Sequence, residues 1–310
     1  MRRLRIGSRG SKLALWQAEY IRARLLNDCR MESEIVIIKT SGDHFQSAPV
    51  AAIGGKGIFI KEIEDALLDR RVDIAVHSMK DVPTATPSSL CFPAVTKRQD
   101  PRDCLVSRGA ETLGKLPQGA RVGTSSLRRQ SQLRYFRNDL QVEEMRGNVD
   151  TRLRKLEAGE FDAIVVAKAG LDRLALSDKI AEVIAPEIIL SAVGQGALAI
   201  EARESDESLR ETLASFDDSE TRAGVTAERA LLAELEGGCQ VPLGAWGRIE
   251  DGALRLDARV LAADGSECIA RHASGSAANA GELGRRLGRE LLDGGADRLL
   301  RLAGRSVGGI

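Results

Sequence analysis

The chain has 310 residues, more than one ordinary hydrophobic core fills and enough for two or three modest domains. Its 45 basic residues balance 45 acidic ones and aromatics make up only 3%, so a general nucleic-acid binder is disfavoured: there is no basic excess, and base-stacking rings are scarce. Hydrophobic content of 43% with 29% charged residues excludes a disordered or fibrous chain.

In chain order, Leu4–Gly7 reads as a strand, and Ser11 caps a helix with Leu13, Leu15, Trp16, Ile21 and Leu25 on its apolar side. Glu34–Lys39 is a second strand. A polar, Gly-rich stretch then leads through Gly54–Gly57 into a helix over Ile58–Asp69. Asp73–His77 is a short apolar strand ending in the polar run His77-Ser78-Met79-Lys80-Asp81, the end of a strand at which open α/β sheets bind ligands. After Pro101 the rhythm restarts. Arg121–Gly123 is a strand, Thr124-Ser125-Ser126 opens a helix to about Phe136, Gln141–Glu144 is a strand, Asn148–Ala158 a helix and Phe161–Ala167 an apolar strand. A Gly-rich crossing, Ala192–Ala197, suits a hinge and leads into the strand Leu198–Ala202. The remainder changes character. A helix over Thr221–Leu235 stops at Gly237-Gly238, and three alternating segments follow near Gly244–Ile249, Leu254–Ala262 and Glu267–Ser274. Asp251-Gly252 and Asp264-Gly265 supply hairpin turns, and a helical stretch closes the chain as part of a small α+β domain.

Arginine far outnumbers lysine, and its planar fork matches carboxylates or phosphates two bonds at a time. Two helix starts concentrate it. In Gly123-Thr-Ser-Ser-Leu-Arg-Arg129, hydroxyl residues precede two arginines of a first turn; Arg146-Gly147-Asn148 precedes a helix bearing Arg152 and Arg154. Free N–H groups, the helix dipole and full charges together favour an anion site over a solvated face. Five widely spaced cysteines without a CxxC pair form neither a disulfide framework nor a zinc site, and no metal is expected. Cys29, Cys91, Cys104 and Cys268 read as inert small hydrophobes. Cys239 differs: its glycine neighbours leave room for a bulky group on sulfur, as covalent attachment requires. His77, without a paired nucleophile, reads as a structural hydrogen-bonder, whereas the Asp81 carboxylate can stabilise a cationic intermediate. With no signal-peptide pattern and no apolar span, a cytoplasmic protein is expected.

Gly54-Gly-Lys-Gly57, His77-Ser-Met-Lys-Asp-Val-Pro83, Asp100-Pro-Arg-Asp103, Val122-Gly-Thr-Ser-Ser-Leu-Arg-Arg-Gln130, Arg146-Gly-Asn148, Val193-Gly-Gln-Gly-Ala197 and Glu236-Gly-Gly-Cys-Gln-Val-Pro242 occur in this order. Together they resemble the porphobilinogen deaminase (hydroxymethylbilane synthase) family from Leu4 to about Pro242. The resemblance implies two periplasmic-binding-protein-like (type II) α/β domains around a cleft plus a small α+β C-terminal domain. In this chain they would span 1–97 with 197–216, 98–196 and 217–310. It implies a transferase that joins four porphobilinogen molecules, with loss of ammonia, into linear hydroxymethylbilane in heme biosynthesis. The implied cofactor is a dipyrromethane primer, in thioether linkage to Cys239.

By the same resemblance Asp81 is the catalytic carboxylate. Lys80, Asp81, Thr124, Ser125, Ser126, Arg128, Arg129, Arg146, Gly147 and Arg152 would hold the cofactor. Arg9, Ser11, Arg146, Arg152, Arg173 and Gln195 would hold the substrate. Porphobilinogen is the expected small-molecule partner of a monomer that uses neither nucleic acid nor membrane. One departure is Ala52, where many relatives carry lysine, which leaves Lys56 as the loop's only lysine. A two-lobed anion-binding protein and a thiol hydrolase using Cys239 are the alternatives. None of His44, His77 and His272 shows a local hydrolase signature.

Overall fold

The computed structural model describes residues 3–40, 60–235 and 241–308, with side chains as far as 303. The Gly54–Gly57 loop, Ala52 and the Gly237-Gly238-Cys239 turn lie outside the described residues. In chain order the elements begin with β1 (Leu4–Ser8), α1 (Lys12–Cys29), β2 (Ser33–Ile37), α2 (Lys61–Leu68), β3 (Ile74–Ser78) and β4 (Leu90–Val95). Next come β5 (Asp103–Ser107), β6 (Arg121–Gly123), α3 (Leu127–Phe136), β7 (Gln141–Glu143), α4 (Val149–Glu157), β8 (Ala163–Ala167), α5 (Lys168–Arg173) and β9 (Glu182–Val183). The chain returns through β10 (Leu198–Arg203) and α6 (Glu207–Ala214) to α7 (Ser219–Glu234). It ends with β11 (Leu243–Glu250), β12 (Ala253–Leu261), β13 (Cys268–Gly275), α8 (Ala280–Asp293) and α9 (Ala296–Gly308). No described helix is long and apolar enough to cross a membrane.

Two compact units result, Met1–Gln99 with Ala197–Arg222 and Asp100–Gly196 with Ala223–Ile310. The first holds a five-stranded sheet of order β2-β1-β3-β10-β4. Strands β1, β2 and β3 pair in parallel, while β10 runs antiparallel to both β3 and β4. Burial on both faces explains the apolar run of β3, and Ile6, Ile21, Leu25, Ile74 and Ile200 fill one of its cores. Ser11 starts α1 as its sequence requires: the hydroxyl accepts from the Ala14 N–H at 3.3 Å. Of the apolar side expected for α1, Ile21 and Leu25 are buried, but Trp16 is only partly covered and stacks on Tyr20.

The second unit holds two sheets. The five-stranded one has order β7-β6-β8-β5-β9, with β6, β7 and β8 parallel and β5 antiparallel to its neighbours. Both five-stranded sheets thus share one plan, with a single antiparallel strand inserted fourth. The other is the antiparallel meander β11-β12-β13, whose inner face packs with α7, α8 and α9 through Leu231, Leu256 and Leu287. Its first hairpin turns at Asp251 (φ 51°) and Gly252 (φ 78°), the paired positive angles that make Asp-Gly a hairpin signal. Within this unit the meander meets the crossing segment directly: the Ala245 N–H donates to the Ser191 carbonyl at 2.9 Å. Buried Glu228 of α7 accepts from the N–H groups of Gly194 (2.6 Å) and Gly247 (2.7 Å), tying crossing, helix and sheet together.

Candidate active site

The candidate residues fall into one group in each unit. In the first, β3 ends at Ser78 and runs into a single 3-10 turn, Met79–Asp81. Buried Met79 anchors this turn, its N–H donating to the Ala197 carbonyl at 3.0 Å, so Asp81 is presented outward at the strand's carboxyl end. A pocket opens there between Arg9, Ser11, Gln17, His77, Ser78 and Asp81, with Ile60 and Ile63 as apolar wall. Arg9, Ser11 and Asp81 are therefore brought together as the sequence implies, while Lys80 is half-buried beside them on the turn.

One residue of this wall and one behind it were not legible. Gln17, buried on α1, donates from Nε2 to the Ser78 hydroxyl at 2.8 Å. Glu201, fully buried on β10, meets His77 Nε2 at 2.8 Å. Its signal was a lone charge inside the apolar run Leu198–Ala202. His77 is thus hydrogen-bonded within the sheet, as expected of a lone histidine.

In the second unit the expected anion site has a different interior from the one the sequence implies. Arg128 and Arg129 are not displayed at the helix surface; they are 4% and 6% exposed and point inward. Arg128 Nη1 donates to Asp103 Oδ2 at 2.7 Å and Arg129 Nη2 to Asp103 Oδ1 at 2.7 Å, and Gln195 Nε2 reaches Oδ1 at 2.9 Å. Burial alone raises the Asp103 carboxyl, but Arg128 and then Arg129 outweigh it and hold the group well below the ordinary carboxylate range. Gln195 also donates to the Pro101 carbonyl at 2.6 Å, and buried Arg173 donates to the Gly196 carbonyl at 2.8 Å. These residues build the crossing segment's seat. A carboxylate at the head of β5 completes it, and the sequence offered Asp103 only within the Asp100–Asp103 segment of the resemblance.

Around this buried cluster lies the start of α3. Thr124 is buried and its hydroxyl accepts from the Ser126 N–H at 3.3 Å, while Ser125 is exposed. Ser126 occupies the N-cap position without a side-chain cap bond, so its hydroxyl leaves the first-turn N–H groups of α3 uncapped. Arg152, on α4, sits beside them: Nε donates to the Gly147 carbonyl at 2.8 Å and Nη2 to the Ser125 hydroxyl at 3.4 Å. Asn148 caps α4 through the Thr151 N–H at 3.0 Å, which fixes Gly147 and Arg152 together. Arg146 pairs with Glu144 at 2.6 Å. Arg152 has no carboxylate partner among the described residues, and burial followed by repulsion from Arg129 brings its guanidinium down to about 10. Arg128 and Arg129 therefore share one carboxylate, Asp103, while the neighbouring Arg152 has none among the described residues. The local excess of positive charge and a bare helix start are what an anionic ligand neutralises.

The other cysteines fit the inert reading. Burial pushes the Cys91 thiol up to about 11 and the Cys104 thiol up to about 12, so neither supplies a thiolate near neutrality. No group of three or more histidine, cysteine or acidic side chains suited to a metal occurs among the described residues.

Fold and site thus define an α/β protein with an excess of positive charge at one helix start and an exposed carboxylate at a strand end. The model of the family described as "Porphobilinogen deaminase, dipyromethane cofactor binding domain" matches residues 4–211, and "Porphobilinogen deaminase, C-terminal domain" matches 223–293. The porphobilinogen deaminase of Syntrophobacter fumaroxidans is 49% identical over 300 residues, covering 96% of each chain. That of Pelobacter propionicus is 48% identical over 307 residues, covering 99% of this chain and 96% of its own. Among solved structures, a periplasmic substrate-binding protein of an ABC transporter from Coxiella burnetii shares 14% identity at a TM-score of 0.43, covering 69% of this chain and 91% of its own. The chain belongs to the porphobilinogen deaminase family.

Proposed function

We propose that this chain joins four porphobilinogen molecules head to tail, with release of ammonia, into linear hydroxymethylbilane, which hydrolysis then releases. Its dipyrromethane primer is carried on Cys239. The observation that carries this reading is the excess of guanidinium over carboxylate at the start of α3, where Arg128 and Arg129 share a single acid and Arg152 beside them has none among the described residues. Every pyrrole unit of such a ligand brings an acetate and a propionate, so a positive excess at a helix start fits it. The same residues fit the cofactor, which is itself made of two such units and supplies, when bound, the nucleophilic pyrrole carbon.

The chain's own residues divide the work. Arg152, the Ser125 hydroxyl and the first-turn N–H groups of α3 bind ligand carboxylates, and Asp103 with Gln195 holds Arg128 and Arg129 for the same task. Arg9 and Ser11 hold the incoming substrate beside Asp81. When ammonia leaves, positive charge spreads onto the substrate's pyrrole nitrogen, and the ionised Asp81 opposite it lowers the barrier by about 3 kcal/mol or more. The reading also places the protein in the cytoplasm as a monomer.

Intact mass of the purified chain tests it, with Cys239→Ala as control. A mass increase of two pyrrole units on the wild type, absent from the variant, together with turnover of porphobilinogen, is expected. An unmodified, folded wild type without turnover overturns the reading.

A further inference from the structure

The reaction must dispose of one proton for each new carbon–carbon bond, and Asp81 already has another task. To stabilise the next cation it has to stay ionised, and a carboxylate that accepted the proton would be neutral when needed. The pocket holds a second group suited to the task. His77 lines it beside Asp81, and imidazole is the side chain whose ordinary titration lies nearest neutrality.

What fixes this ring is the sheet itself. His77 stands opposite Ala199, and Glu201 stands two residues further along β10, so both side chains share a face. The pair is dry: His77 is 5% exposed and Glu201 0%. Glu201 Oε2 lies 2.8 Å from Nε2 of the ring, and when that oxygen accepts, the ring carries its proton on Nε2. Nδ1 is then the bare acceptor. Glu201 Oε1 has no hydrogen-bond partner among the described residues, an unusual state for a buried oxygen. Glu64 of α2 is the second acid of the cluster. Burial first, and then Glu201, raises its carboxyl. The other charged groups lining the ring's pocket are Arg9, from the turn after β1, and Asp81.

The geometry points to His77 as the proton acceptor of the condensation and to Glu201 as the residue that positions it. This inference rests on the proposed function above. In the step, Nδ1 of the neutral ring takes the hydrogen of the accepting pyrrole carbon. The electron pair of that C–H bond returns to the pyrrole ring, and Glu201 stabilises the imidazolium. The proton then passes to the departing ammonia, so that ammonium is the net product and the ring is restored.

Two readouts test it on the cofactor-loaded protein. The chain has three histidines, so the ring nitrogens of His77 can be assigned by ¹⁵N NMR through their loss in His77→Gln. The neutral wild-type ring is expected as the Nε2–H tautomer, a signature that packing alone does not set. An Nδ1–H ring overturns the inference. The second readout is kinetic. His77→Gln should lower kcat on the order of 100-fold, with KM and intact mass unchanged. Porphobilinogen deuterated at its free pyrrole carbon should then show a primary isotope effect that the wild type lacks. Glu201→Gln, which keeps an oxygen facing the ring, should lower kcat less and loosen the tautomer preference. Wild-type kcat in His77→Gln, or a lowered kcat without an isotope effect, overturns the role. Failure of both variants to load cofactor would assign the pair to structure alone and overturn it too. A wild type that neither loads nor turns over fails the proposed function instead.

Discussion

Asp103→Ala is the sharpest perturbation of the second unit. Its carboxylate accepts from Arg128 Nη1 at 2.7 Å, Arg129 Nη2 at 2.7 Å, Arg129 Nε at 3.1 Å and Gln195 Nε2 at 2.9 Å, and it is fully buried. Alanine removes the acceptor and leaves two guanidiniums in the interior without a counter-charge. An exposed ion pair lost in this way costs about 0–1 kcal/mol, but a buried one broken on one side costs about 3–5 kcal/mol. With a urea slope of about 2 kcal/mol per M, a loss of about 4 kcal/mol lowers the unfolding midpoint of this unit by about 2 M. Urea titration followed by circular dichroism measures it, with Asp103→Asn retaining the shape and losing the charge. The pH dependence has a definite sign. The folded carboxyl is held below its unfolded value, so its stabilisation is complete above the unfolded pKa of about 3.9 and fades as pH falls through that value toward the lower folded one. The gap between wild type and Asp103→Ala should therefore begin to narrow as pH falls below about 4 and keep closing toward the lower folded value. A midpoint shift under about 0.5 M near pH 7, against the cost expected of a buried pair, refutes the account.

Asp81→Ala should keep the cofactor mass and lose turnover by about 100-fold or more, with Asp81→Glu retaining slow activity; near-wild-type rates in Asp81→Ala would remove its charge-stabilising role. Arg152→Leu takes away the guanidinium that lacks a carboxylate partner among the described residues, so cofactor assembly should fall while folding stability holds. Intact mass and a thermal melt read the two apart, and normal loading would count against the anion site. Gly224→Ala places a methyl 2.4 Å from the Gly247 carbonyl oxygen, where α7 and β11 meet backbone to backbone. Overpacking of this kind costs about 1–3 kcal/mol, read as a lowered melting temperature; an unchanged one would mean that helix and strand separate freely.

Most elements near the site were legible because each carries a local signal. Ser11 and Asn148 cap their helices through side-chain oxygens, Asp251-Gly252 turns a hairpin, and the apolar run before Ala167 forms a central strand. Strands β4, β5 and β9 were not read. Pro93 interrupts β4, β9 has only two residues, and β5 carries Asp103, whose charge is tolerated only because two arginines distant in sequence cover it. The same limit applies to the site. A constellation within one segment, such as Ser78 to Asp81, can be seen in the chain, whereas Glu201 and His77 are joined only by the pairing of β10 with β3. Side chains that act across strands leave no spacing rule in the sequence.

The arginine excess illustrates the difference between composition and position. Many of these side chains bond the backbone. Arg203, itself buried, donates to the Leu67 carbonyl at 2.6 Å and the Val72 carbonyl at 2.7 Å, and Arg222 reaches the Phe92 and Pro93 carbonyls at 3.1 and 3.2 Å. A guanidinium has five donors in one plane and can close a loop while pairing with Asp73 or Asp217, which an ammonium of three donors cannot match. Arginine number is therefore a poor marker of an anion site. The marker is charge left over after the internal acids are assigned. By that measure Arg203 and Arg222 are framework. Arg128 and Arg129 are half-neutralised by the one carboxylate they share, and Arg152 stands beside them with no acid among the described residues. A ligand carboxylate that settles on Arg152 and the α3 N–H groups completes the balance the fold leaves open. On the proposed function, the anion site is thus defined by a missing acid, while Asp103 holds the other two guanidiniums in place.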